Sequence, residues 1–306
     1  MSDDGDFAGA VRLIHFSDIH VQAEHPRWQL GDWFSRRATG WFNLRCLGRG
    51  KRFSQASRVL TALGRELQQR RPDRVVFSGD ATALGFEEEI ALAARLLGVG
   101  GPHELPGLAV PGNHDYYTRS VAGSGLFERY FAPWQKGERE GEATYPFAQR
   151  VGPLWLVALN SSTGNRWPWD ATGRVGAEQL SRLTVLLRRL DAGPRVLVTH
   201  YPICLSSGRP ESWNHGLRDL ADVVKVAAEA GVCLWLHGHR HGAYHLFSRE
   251  IAPFPIICAG TTTQAGRWSY GEYTIAGKEL HAVRRRYVSD QDCFRECESF
   301  DLHLPS

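Results

Sequence analysis

Short, mostly apolar runs alternate with longer segments of helical periodicity over the first two-thirds of the chain. Runs of this length that are rich in Val, Ile and Leu are typical of strands buried on both faces of a parallel sheet. They fall at residues 11–16, 74–77, 108–110, 154–159, 195–198 and 233–236. Apolar residues at helical spacing lie between them, at 56–67, 86–97, 180–190 and 217–227. The pattern predicts an α/β fold.

After residue 256 the pattern changes to short strands, at 256–259, 271–275 and 280–287, joined by turns that contain Gly or Thr. Such spacing is typical of an antiparallel half-sheet. We therefore predict one α/β domain over 11–287, with two sheets packed face to face and helices outside. Residues 288–306 are predicted to form a loosely attached C-terminal tail.

Composition narrows the class of protein. The 306 residues are 42% hydrophobic and 11% aromatic, which is enough for a sizeable buried core. A net charge of +3 from 36 basic and 33 acidic residues argues against wholesale electrostatic binding of DNA or RNA, so no stable nucleic-acid partner is expected. The acidic segment 1–10 does not resemble a secretory signal, and the longest apolar runs are far shorter than the roughly 20 residues that span a bilayer. A cytoplasmic protein is expected.

Every predicted strand in the first two-thirds of the chain, except 154–159, runs directly into residues that can bind metal ions. Functional groups of α/β proteins gather at the carboxyl ends of strands, and alternation in an extended segment turns residues i and i+2 to one side. Carboxylate, amide and imidazole ligands together suit manganese, iron or zinc, among which the sequence does not choose. The candidate ligands are Asp18, His20, Asp80, Asn113, His200, His239 and His241.

The order of these motifs, D-x-H, G-D, G-N-H-D, H and G-H-x-H, resembles the calcineurin-like metallophosphoesterase superfamily, in particular its class III cyclic-nucleotide phosphodiesterase branch. The resemblance spans residues 11–241. It implies a four-layer α/β/β/α sandwich of two mixed sheets and two metal ions, divalent or mixed-valence. The ligands that it implies are Asp18, His20, Asp80 and His241 for one ion, and Asp80, Asn113, His200 and His239 for the other, with Asp80 as the bridge.

The resemblance also implies an activity. A metal-activated hydroxide would hydrolyse a phosphodiester, with a 3′,5′-cyclic nucleotide as the leading substrate, and His114 would act as leaving-group acid or transition-state donor. The alternative is a pyrophosphohydrolase or phosphatase acting on a nucleotide- or lipid-linked substrate such as UDP-diacylglucosamine. A non-catalytic metal-binding interaction module is a third reading, which the complete ligand set argues against.

Residues 21–52 form an insertion between the first strand and its helix, far longer than an ordinary strand–helix connection. They contain seven Lys or Arg, two acidic residues and five interleaved aromatic residues. Such a segment predicts peripheral contact with an anionic membrane, at its inner face, or a cover over a lipid-bearing substrate. A lid packed on the domain is the competing reading. Three tryptophans of later loops, at 167, 169 and 213, either stack on a nucleobase or pack beneath their loops.

Overall fold

The computed structural model describes residues 9–305. Most of segment 1–10, for which no secretory signal was predicted, lies outside these residues. The strands are β1 (Val11–Phe16), β2 (Arg74–Phe77), β3 (Gly107–Ala109), β4 (Glu138–Arg139), β5 (Phe147–Val151), β6 (Leu154–Ala158), β7 (Arg195–Val198), β8 (Val232–His237), β9 (Tyr244–Leu246), β10 (Ile256–Cys258), β11 (Ser269–Ala276), β12 (Glu279–Val288) and β13 (Cys293–His303).

Helices fill the intervals between strands, as the periodicity predicts. In the longest of them, α3, the apolar positions at helical spacing face the core while Arg and Gln positions face solvent. The helices are α1 (Arg36–Arg45), α2 (Arg49–Arg52), α3 (Ala56–Arg70), α4 (Glu87–Leu96), α5 (Arg119–Ala122), α6 (Leu126–Phe131), α7 (Ala177–Arg189) and α8 (Leu220–Glu229), with 3₁₀ turns at Leu30–Phe34 and Ala132–Gln135.

Two mixed sheets form the centre of the fold. The first has the order β13-β12-β11-β1-β2-β3, and the second has the order β4-β5-β6-β7-β8-β10-β9. Strands β1, β2 and β3 run parallel, as do β6, β7, β8 and β10, while the outer strands pair antiparallel. In each sheet the parallel strands therefore end at one common edge.

Three apolar clusters pack the sheets and helices of the fold against one another. One lies between the sheets and includes Leu13, Val76 and Val198. A second packs the opposite face of the first sheet against α3, α4 and α6, and a third packs the second sheet against α7 and α8. The four-layer α/β/β/α sandwich is thereby confirmed. Within residues 9–305 every helix is too short or too polar to span a bilayer.

Two predictions of chain organisation are wrong. The segment predicted as a loose tail, 288–306, contains β13, which pairs with β12 from Glu279–His303 to Val288–Cys293. Phe294 in this strand and Leu304 directly after it are buried. The strand predicted at 256–259 does not join the antiparallel half-sheet. It is β10, parallel to β8 in the second sheet, because a three-residue buried strand carries no periodicity that reveals its partner.

Candidate metal centre

Five strand ends, three from the first sheet and two from the second, meet at one site. Asp18 and His20 follow β1, Asp80 follows β2, and Asn113 follows β3. His200 follows β7, and both His239 and His241 follow β8. The structure thus brings all seven predicted ligands together from positions up to 223 residues apart in the chain.

The cluster has two halves that share Asp80. In one half, His20 Nε2 lies 3.2 Å from His241 Nε2 and 3.6 Å from Asp80 Oδ2. In the other, His200 Nε2 lies 3.1 Å from Asn113 Oδ1 and 3.5 Å from Asp80 Oδ1. Each carboxylate oxygen of Asp80 therefore faces a different half, which is the geometry that a bridging ligand requires.

The remaining two residues complete the halves. His241 Nε2 is 3.4 Å from Asp18 Oδ1, and His239 Nδ1 is 3.0 Å from Asn113 Oδ1. Asp18 Oδ1 and His239 Nε2 are buried and have no hydrogen-bond partner within residues 9–305. A buried polar atom without a partner is costly, and a cation held between Asp18 and His241 would satisfy Asp18 Oδ1. The donor set, with this unpartnered carboxylate oxygen, fits a pair of metal ions.

Hydrogen bonds behind the cluster orient its imidazoles. Nδ1 of His20 donates to the Thr82 carbonyl at 3.0 Å, and Nδ1 of His200 donates to the Ser78 carbonyl at 2.8 Å. Nδ1 of His241 lies 2.5 Å from Gln264 Oε1. Donation from Nδ1 fixes the tautomer in which the Nε2 lone pair points into the site. Sequence analysis did not single out Gln264, because it lies on a loop outside every motif.

The backbone at the site is strained. Four of the seven candidate ligands have positive φ angles: Asp18 at 52°, His20 at 40°, Asp80 at 61° and His239 at 65°. Non-glycine residues rarely adopt this region, and such strain persists at functional sites where the surrounding structure enforces it. Only glycine fits at the neighbouring position 112, because a Cβ at Gly112 would lie 2.1 Å from Asp80 Oδ1.

Burial shifts the pKa values of the carboxyl and imidazole groups in the cluster. Loss of solvent raises the pKa of Asp80 to about 7 and, with the nearby Asp80 charge, raises the pKa of Asp18 well above its usual value. Burial also lowers the pKa of His200 and of His241 to about 4. The imidazoles are therefore neutral, which is the form in which an imidazole binds a cation.

A sequence model of the calcineurin-like phosphoesterase family matches residues 11–243, more than half of the chain. The chain belongs to this family. Because the family depends on a dinuclear metal centre, the chain is a metal-dependent phosphoric ester hydrolase. No curated protein sequence is significantly similar to the chain.

Solved structures show the same fold at low sequence identity. A dimetal phosphatase from Danio rerio is 13% identical, with a TM-score of 0.64 over 96% of this chain and 99% of that one. A purple acid phosphatase from yellow lupin is 13% identical, with a TM-score of 0.59 over 96% of this chain and 54% of that one. GAP50 of the Plasmodium inner membrane complex is 11% identical, with a TM-score of 0.57 over 97% and 90%.

In this phosphoesterase, His114 borders the half-site of His20. Its Nδ1 donates to the Ala83 carbonyl at 2.7 Å, and its Nε2 accepts a hydrogen bond from Arg49 Nη2 at 2.9 Å. Its backbone N–H donates to Asp80 Oδ1 at 2.7 Å. A ring nitrogen of His114 also lies within 4.8 Å of ligand atoms of His20 and Asp80. Arg49, at the end of the insertion, is a site residue that sequence analysis did not single out.

Asp115 has a structural role in this phosphoesterase. Its carboxylate accepts hydrogen bonds from the backbone N–H groups of Asp80 at 2.9 Å, Gly112 at 2.8 Å and Thr82 at 3.1 Å. It thus ties the turn after β2 to the turn after β3. These contacts assign the Asp115 carboxylate to holding the two turns rather than to orienting the His114 ring.

The insertion is folded and anchored to the domain. Arg37 of α1 pairs with Asp32 at 2.7 Å and donates to the carbonyls of Leu84 and Gly85. Gly40 packs where no side chain would fit, since a Cβ would lie 2.1 Å from the Tyr117 hydroxyl. The insertion therefore covers part of the domain, although several of its largest apolar side chains remain exposed.

Proposed function

We propose that this phosphoesterase hydrolyses a phosphodiester, with a 3′,5′-cyclic nucleotide as the substrate and two ions of manganese, iron or zinc as cofactors. The two-part cluster centred on Asp80 is the observation that carries the proposal. The seven residues of the cluster would hold the ions, which when bound supply Lewis acidity and an activated water. The resemblance to the class III branch supports the choice of a cyclic nucleotide.

The chain's own groups would divide the remaining work. Asp80 would hold both halves of the centre in register through its two oxygens. His114 would contact the leaving group or the phosphoryl oxygens, because its ring borders the cluster on the side of the insertion. Trp167 and Trp169, stacked at 5.1 Å and half exposed, offer an aromatic surface on which a nucleobase would stack.

The test is reconstitution of metal-free protein with manganese, iron or zinc, followed by assay on paired chromogenic monoester and diester substrates. Cyclic AMP and UDP-diacylglucosamine are then compared. We expect faster turnover of the diester and of cyclic AMP, and no turnover by the Asp80→Asn variant. Failure of all three metals to support hydrolysis would exclude the proposal and favour the metal-binding interaction module.

A second candidate substrate is a nucleotide- or lipid-linked phosphoester, and one observation favours it. Large apolar side chains of the insertion face solvent, with Leu30 81% and Phe34 88% exposed. Beside them lies a cavity of about 360 Å³ lined in part by Phe34, Arg36 and Arg166. Apolar surface next to cationic groups suits an anionic lipid surface. The exposed set comprises Leu30, Trp33, Phe34, Trp41, Phe42 and Leu47.

We propose on this basis that the insertion contacts the inner face of a membrane peripherally. The wild type should co-sediment with vesicles containing phosphatidylglycerol, and binding should weaken in high salt. The Leu30→Ser, Phe34→Ser double variant should lose binding. Phe247→Ser, which changes an equally apolar exposed residue outside the insertion, should keep it. Equal binding by both variants, or none by the wild type, would exclude membrane contact.

A further inference from the structure

Arg49 extends from the insertion to the edge of the metal-ligand cluster. It begins α2, and its Nη2 donates to His114 Nε2 at 2.9 Å. The side chain also lies close enough for its charge to contribute, after burial, to the lowered pKa of His20, His114 and His241. Its guanidinium therefore faces the half of the cluster that contains His20.

This guanidinium makes no ion pair, although it lies close enough to the Asp80 carboxylate for the two charges to interact. Within residues 9–305 no carboxylate oxygen lies within 4.0 Å of it, and its contact in the site is the neutral imidazole of His114. By contrast, Arg37 in the same insertion forms an ion pair with Asp32 at 2.7 Å. Bound metal ions would neutralise Asp80, and an arginine without an ion pair beside two metal cations is then electrostatically unfavourable unless an anion binds there as well.

Local packing holds Arg49 in this position. Gly48 precedes it with a φ of 77°, and Gly50 follows where a Cβ would lie 2.7 Å from the Leu44 carbonyl oxygen. The Arg52 carbonyl accepts a hydrogen bond from Ala265 N at 2.7 Å, which ties α2 to the loop that carries Gln264. Phe53 is buried against the ring of His20 at 4.8 Å. The segment that carries Arg49 is thus built into the wall of the site.

We propose that Arg49 binds a non-bridging phosphoryl oxygen of the substrate next to His114, so that the insertion completes the active site. The proposal rests on the phosphoesterase function proposed above. A guanidinium presents paired N–H donors that match phosphate oxygens and stays charged at every working pH. A phosphoryl group bound at the metal pair would supply the ion-pair partner that Arg49 lacks.

The experiment compares Arg49→Ala, Arg49→Lys and the control Arg45→Ala, which removes an exposed arginine of the same insertion. Metal content is measured first, and then binding of inorganic phosphate to the metal-loaded proteins by calorimetry. We expect Arg49→Ala to keep its metals and to bind phosphate about 10- to 100-fold more weakly, as for loss of one charge-assisted hydrogen bond. Arg49→Lys should fall between, and Arg45→Ala should match the wild type.

Steady-state kinetics supply a second readout. The kcat/KM of Arg49→Ala should fall about 10- to 100-fold, and added guanidinium ion should restore part of it. Phosphate binding by Arg49→Ala equal to that of Arg45→Ala would overturn the role of Arg49 while leaving the hydrolase proposal intact. A wild type that hydrolyses no phosphoester with any of the three metals would overturn both.

Discussion

Both ring nitrogens of His114 make hydrogen bonds beside the candidate metal centre. With Nδ1 donating to the Ala83 carbonyl, Nε2 is the nitrogen available to substrate once Arg49 turns to an anion. Nε2 carries no proton in the free site, so it can act as a general acid only after taking up a proton as the anionic substrate binds. On that basis we predict that His114→Ala retains both metal ions and lowers kcat by about 10²- to 10⁴-fold, the usual contribution of a general acid.

Metal analysis and kcat on a chromogenic diester check this prediction, with the exposed His103→Ala as the matched control. Loss of one metal from His114→Ala would make the residue a ligand, as its proximity to His20 and Asp80 permits. An unchanged kcat would mean that His114 takes no part in the reaction.

Glu89 is a buried carboxyl away from the metal ligands. It accepts backbone hydrogen bonds from Leu84 N at 2.9 Å and Phe86 N at 3.2 Å, and burial raises its pKa to about 7. An acid whose pKa is raised by folding favours the folded state while protonated. That contribution is lost as pH rises from about 4.5 through about 7.

The expected signature is a pH-dependent difference between two proteins. Glu89→Gln keeps both acceptor contacts and cannot ionise, so its free energy of unfolding relative to the wild type should grow by about 3 kcal/mol from acid to alkaline pH. Urea denaturation of the metal-loaded proteins at pH 5, 6, 7 and 8 measures the difference. A constant difference would place the pKa of Glu89 near its ordinary value.

Among the helices and strands, the fully buried strands are those whose bounds the sequence predicts best. Strands β1, β2 and β7 have the predicted bounds because buried parallel strands are apolar along their whole length. Strand β13 was read as a tail because most of its side chains face solvent and several are acidic. Its place depends on pairing with β12 and on cross-strand ion pairs such as Arg284–Glu298, which no pattern within residues 293–303 reveals.

The integration of β13 into the core is testable at Phe294. This side chain is buried and packs against Tyr270 and Tyr287, with ring centroids 5.0 Å and 5.4 Å away. We predict that Phe294→Ala lowers the free energy of unfolding by about 3–5 kcal/mol, whereas the exposed neighbour Arg295→Ala changes it by about 0.5 kcal/mol or less. If both substitutions changed the free energy of unfolding by equally small amounts in chemical denaturation, the prediction of a loosely attached tail would stand instead.

At the scale of the whole molecule, the sequence foretold the convergence of seven side chains because ligand motifs sit at strand ends. It did not foretell Arg49 or Gln264, since both reach the site through loops whose course depends on tertiary packing. The insertion was identified as basic and aromatic, but its anchoring through Arg37 and Gly40 depends on groups of the domain beneath it. Patterns within the sequence therefore predicted the metal ligands better than they predicted the residues around them.

The cluster also joins the two sheets. Asp18 and Asp80 come from the first sheet, while His200 and His241 come from the second, so bound ions would cross-link the layers. An ion that binds only the folded state at 100 times its Kd stabilises that state by about 2.7 kcal/mol. For a chain of this size, removal of each ion should lower Tm by about 5 °C.

Calorimetry of metal-loaded and chelator-treated protein tests this cross-link. The wild type and Asp191→Asn, which changes an exposed carboxylate far from the motifs in sequence, should show the same metal-dependent rise in Tm. Asp80→Asn should show little of it, because one change removes the ligand common to both halves. A Tm that does not respond to metal in the wild type would mean that the two sheets hold together without help from the site. A full rise in Asp80→Asn would mean that Asp80 is not the bridge.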